Sequence, residues 1–126
     1  MANTATLLGA IPAGYTDVGD SAAVQVYNIS IDTAASDLTI YTPDSDKRWA
    51  CLGILYSESA AHNLTLKSGS TTLATLEFSS GGLSQGLGEG AFLMGVDEGD
   101  GFVIQSSAAI SSMLIYVQQV NFLRFS

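Results

Sequence analysis

The period of its apolar residues limits this chain more than any other feature. From Ala22 onward large apolar side chains recur at alternate positions in short runs. Leu38 and Ile40 alternate with Thr39 and Tyr41, and Leu64 and Leu66 with Thr65 and Lys67. Ala74, Leu76 and Phe78 alternate with Thr75 and Glu77, and Phe102 and Ile104 with Val103 and Gln105. Successive side chains of an extended strand point to opposite faces, so this period specifies half-buried strands and is incompatible with the helical repeat of roughly 3.6 residues. Turn-forming segments separate the runs: Thr42-Pro43-Asp44-Ser45-Asp46, Ser68-Gly69-Ser70 and Asp97-Glu98-Gly99-Asp100-Gly101. Strands punctuated by turns about every ten residues, with no helical stretch and no internal repeat, predict an all-β fold. The expected architecture is an antiparallel two-sheet sandwich of jelly-roll type with about eight or nine short strands and no substantial helix.

Three segments depart from simple alternation. Val24 and Val26 share one parity, whereas Tyr27, Ile29 and Ile31 share the other, which predicts either a bulge or a strand covered on both sides. Between Trp49 and Ser57, strict alternation puts Trp49, Cys51 and Leu55 on one face and Leu52, Ile54 and Tyr56 on the other. Near the C-terminus, Met113, Ile115 and Val117 oppose Leu114, Tyr116 and Val120. A strand that is apolar on both faces is normally buried on both. One face of a sandwich sheet looks outward, so the second apolar face predicts cover from an arm, a loop or another subunit. The final residues Asn121 to Ser126 add Phe122, Leu123 and Phe125. Each costs about 1.5–3 kcal/mol if left in water. Trp49, Leu52, Ile54, Tyr56, Leu114, Tyr116, Phe122, Leu123 and Phe125 are therefore the expected interface residues.

This reading divides the chain into an N-terminal arm (1–21), a sandwich body (22–120) and an apolar tail (121–126). Within the arm, Ala2 to Leu8 reads as a possible edge strand, and Ile11-Pro12-Ala13-Gly14 as a turn. One domain is the default for 126 residues, a length that buries a core without staples.

The charge balance narrows the partners. Twelve acids against four bases give a formal net charge of −8. Phosphate recognition needs clustered Lys and Arg, so neither nucleic acid nor an anionic membrane surface is expected as a partner. No apolar stretch reaches the eighteen or so residues of a membrane helix, and no secretory signal pattern opens the chain. The N-x-S/T sequons at Asn28 and Asn63 are accordingly read as chance.

The sequence holds little catalytic chemistry, and no enzyme activity is expected. Cys51 is the single cysteine, lies in an apolar run and reads as a buried, inert thiol. His62 is the single histidine, has no nucleophile motif beside it and reads as a solvated loop residue. Gly19-Asp20-Ser21 lacks the downstream partners of a lipase serine. Gly86-Leu87-Gly88-Glu89-Gly90 lacks the strand-then-helix setting of a nucleotide loop. No cofactor is expected. Carboxylate-rich turns can bind calcium, so Asp97 and Asp100 stand as weak metal candidates, although neither turn has the spacing of a calcium-binding hand. Asp-Gly turns are common without any metal.

Beyond these residue-level readings, the order of features from Leu38 onward resembles a group of small tailed-phage virion proteins. The likeness is carried by Tyr41-Thr42-Pro43 leading to Trp49, by Leu52 to Ser57, by the hairpin Asn63 to Leu73, and by Gly99 to Ala109 leading to Ile115-Tyr116-Val117. It covers about two-thirds of the chain, as a pattern of turns and strand spacings. The arm before Ala22 and the apolar end after Val120 depart from the pattern. The resemblance implies a jelly-roll decoration, cement or head-fibre subunit with no catalytic residues. Such a subunit is a homo-oligomer, often a trimer, that binds the major capsid protein or other virion proteins. Its location is the virion, after synthesis in the host cytoplasm. Two other expectations stand beside it: a tail or connector component, and a fibre-tip or carbohydrate-binding module using Tyr15, Tyr27, Tyr41 or Tyr56.

Overall fold

A computed structural model of the chain describes residues 3–11, 24–32, 36–81, 84–85 and 93–120. These residues form ten strands: β1 (Thr4–Ile11), β2 (Val24–Ile31), β3 (Leu38–Tyr41), β4 (Arg48–Tyr56), β5 (His62–Ser68), β6 (Thr71–Phe78), β7 (Ser84–Gln85), β8 (Leu93–Met94), β9 (Phe102–Ser106) and β10 (Ile110–Val120). Among the described residues there is no helix.

Two antiparallel sheets hold these strands. The large sheet has the order β1-β2-β10-β4-β7, with β8 also pairing β4; the small sheet has the order β3-β9-β5-β6. Numbering β2 to β6 as the first five strands and counting β7 and β8 as one interrupted strand, the chain crosses between the sheets at nearly every connection. Nested strand pairs result, β2 with β10 and β4, and β3 with β9 and β5, which is the jelly-roll wiring. The protein is an all-β jelly-roll sandwich.

Each inner face buries the alternating apolar set. Ile29, Ile31, Ile54, Met113, Ile115 and Val117 from the large sheet meet Leu64, Leu66, Phe102 and Ile104 from the small one. Trp49 crosses the gap and stacks on Phe102, with ring centroids 4.2 Å apart and planes 13° from parallel. The indole Nε1 has no hydrogen-bond partner, so Trp49 serves the core through its area and its stack. Gly95 makes this possible. A Cβ there would lie 2.9 Å from that nitrogen, so only glycine lets the backbone pass so close.

The body begins earlier than the 22–120 division implies. Within the segment read as an arm, β1 pairs β2 from Thr4↔Ser30 to Ile11↔Val24, in keeping with the edge-strand reading and a few residues further along. The tail 121–126 lies outside the described residues. β2 resolves its own ambiguity. Its register with β10 runs unbroken from Val117↔Gln25 to Met113↔Ile29. The irregularities lie instead in its two neighbours, in β1 between Leu7 and Gly9 and in β10 between Ile110 and Met113. Tyr27, Ile29 and Ile31 face inward, and Val26 lies half-buried on the opposite face.

β4 requires a correction. Its register with β10 shifts between Tyr116↔Gly53 and Val117↔Cys51, leaving Leu52 unopposed. A bulge of this kind inserts one residue and reverses the face of everything beyond it. Trp49, Cys51, Ile54 and Tyr56 therefore all face the core, at 0%, 0%, 0% and 9% exposure. Leu55 faces outward. Strict alternation separates Trp49 and Cys51 from Ile54 and Tyr56, and the bulge reunites them. Most of the apparent second apolar face of β4 is this one-residue insertion.

The hairpin β5–β6 closes through Gly69 and Ser70, with Gly69 at φ 59°. That left-handed backbone is open to glycine at little cost.

Candidate functional site

The register assigns every strand residue to an inner or outer face, and the two outer faces differ in kind. On the large sheet, the outer face carries Val26 from β2, Leu114, Tyr116 and Val120 from β10, Leu55 from β4 and Met94 from β8. Each is half-buried. Tyr116 lies between Val26 and Gly53, and Leu114 between Asn28 and Leu55. Among the described strand residues, the only charge on this face is Arg48, at its end opposite Val120. Neutral polar residues share the face: Gln118 beside Ala50, Asn28 beside Leu114, and Ser112, whose Oγ donates to Asn28 Oδ1 at 2.8 Å.

The outer face of the small sheet is polar. Thr39, Asn63, Thr65, Lys67, Thr75 and Glu77 occupy it. Lys67 Nζ reaches both oxygens of Asp37, at 3.1 and 3.2 Å, and Thr65 and Thr75 meet through their hydroxyls at 3.4 Å. Val103 also points this way, yet it is 6% exposed. It pairs with Lys67, whose long stem can cover apolar surface while its amine stays wet.

The expected interface residues thus divide into three groups. Trp49, Ile54 and Tyr56 are core residues, and the folded chain does not offer them to a neighbour. Their inward turn follows from the bulge at Leu52. Leu52, Leu114 and Tyr116 are half-buried, and the last two form the middle of the uncharged face. Phe122, Leu123 and Phe125 lie outside the described residues. Exposure adds three residues that were not singled out, Val96 at 42% and, adjacent on β1, Leu7 at 53% and Leu8 at 58%. The signal for the leucines was present in the sequence as an adjacent pair in a strand without charge.

His62 also requires correction. It is the first residue of β5 and is 3% exposed, not a solvated loop residue. Its parity with Leu64 and Leu66 was the signal. Its Nδ1 lies 3.0 Å from the Ala60 carbonyl oxygen, which can only accept, so this nitrogen carries the proton. Nε2 then accepts from the Tyr56 hydroxyl at 2.7 Å. Phe78 stacks on the ring, with centroids 5.1 Å apart. Both nitrogens are engaged inside the fold. Burial, reinforced by the charge of Glu58, pushes the Tyr56 hydroxyl up to about 12.

Cys51 is buried, and that burial pushes its thiol up to about 12, against a partial offset from the Gly53 backbone. A thiol held neutral this firmly is a poor nucleophile.

The acidic turns sit side by side at one end of the sandwich, where Gly99 N–H donates to the Lys47 carbonyl at 2.8 Å. Asp100 organises its own loop. Its Oδ2 accepts from the Ser68 hydroxyl at 3.0 Å and from the Asp97 N–H at 3.3 Å, while Ser68 Oγ accepts from the Val96 N–H at 2.9 Å. Among the described residues, no three His, Cys, Asp or Glu side chains gather as a metal site. Asp97 and Asp100 therefore do not come together as ligands in a larger set. Across the loop, Asp44 is tied to β10, its N–H donating to Gln119 Oε1 at 2.7 Å.

Gly19-Asp20-Ser21, Gly86 to Gly90 and Tyr15 lie outside the described residues. Tyr27 and Tyr41, from opposite sheets, meet at 6.4 Å between centroids and close the seam at one side of the core, so neither stands on a loop.

No family model, no curated protein and no solved structure matches this chain.

Proposed function

We propose that this protein is a phage virion structural protein, a capsid decoration or cement subunit that self-associates and binds neighbouring capsid subunits. One observation carries the reading: on the outer face of the large sheet Val26, Leu55, Leu114 and Tyr116 form an apolar patch among neutral polar neighbours such as Asn28 and Gln118, and among the described strand residues of that face Arg48 is the only charge, on a chain of net charge −8. A sheet face that has no further work normally carries the polar residues found on the small sheet. Interfaces lose charge at their centre and gain aromatic and aliphatic side chains, as this face does around Tyr116 and Leu114. The jelly roll is compatible with capsid roles, and also with lectins and other functions, so the fold alone does not choose. The choice rests on the uncharged face and on the resemblance in strand and turn order, which also favours a trimer. The tail Phe122 to Phe125 supplies further apolar surface for the same task. A tail or connector position is the nearest alternative and uses the same face.

The test is occupancy. Purified protein is mixed with shells of a candidate major capsid protein, and bound copies are counted after sedimentation. Leu114→Lys with Tyr116→Lys should weaken binding roughly thirtyfold, and so cut occupancy at limiting concentration, while the melting temperature stays near that of the parent. Full occupancy by that variant would overturn the assignment of this face. A glycan array supplies the contrast, because sugar binding by the unmodified chain would favour the carbohydrate-binding alternative.

A further inference from the structure

We draw no further inference here: the strongest candidate, the polar and aromatic cluster of Gln25, Tyr27, Tyr41, Asp44 and Gln119 at the seam between the two sheets, has its side chains bonded to one another, and nothing in the structure shows what covers it.

Discussion

The two sheets of this sandwich share a core and differ on their backs. The small sheet alternates as an antiparallel sheet in water should, with leucine, isoleucine and phenylalanine inward and threonine, lysine and glutamate outward. The large sheet is apolar inward, and outward it shows Val26, Leu55, Leu114 and Tyr116. Both are held to the core by the same burial, so the difference is not needed for folding. It records what each back faces: solvent for the small sheet and, in the proposed role, another subunit for the large one.

That contrast can be broken first at the core it presupposes. Ile115 and Tyr116 are neighbours on β10, one fully buried and one on the outer face. Ile115→Ala should cost about 2–5 kcal/mol of folding stability, as buried aliphatic truncations do. Urea unfolding measures it, and a loss near zero would mean the face assignment is inverted. Leu114→Lys with Tyr116→Lys should leave folding nearly intact and weaken association by about 2 kcal/mol, or roughly thirtyfold. Sedimentation against capsid shells reads that change.

A third test addresses the core of the large sheet through pH. Burial raises the Tyr56 hydroxyl and the Cys51 thiol to about 12 each, from ordinary values of 10.0 and 9.0. Raised values mean that the folded state favours the neutral forms. Their contribution is therefore complete below about pH 9 and is lost as pH rises toward 12. Stability followed by tryptophan fluorescence should fall across that window, and Tyr56→Phe with Cys51→Ala should flatten the fall. A thiol reagent should leave Cys51 unmodified at neutral pH until denaturant opens the fold. The smallest effect belongs to the small sheet, where Thr75→Lys should change stability by less than about 0.5 kcal/mol and leave association unchanged. A strong effect there would erase the difference between the two backs.

β10 and β4 show how far the residue order alone reaches. For β10, parity separated Met113, Ile115 and Val117 from Leu114 and Tyr116, and the strand keeps that division because its register with β2 is regular from Met113 to Val117 and the extra residue at the shift with β4 lies on β4. For β4, the same reasoning placed Trp49 and Ile54 on opposite faces, and Leu52 overturned it. A bulge has no composition of its own. It exists only relative to a partner strand, here where Gly53 meets Tyr116 and Cys51 meets Val117. His62 and the β1 leucines were visible in the order of residues, but their burial and exposure were not.

The sequence by itself determined the all-β class, the hairpin at Gly69, the buried thiol and the inner face of β10. These follow from local rules: the two-residue period of a strand, the backbone freedom of glycine and the cost of wet apolar surface. Only the tertiary structure decided which strands are neighbours, where the bulges fall and which outer face gathers the apolar patch. Those properties belong to pairs of distant segments, and a face or an edge acquires its meaning only once another strand has been placed, or not placed, beside it.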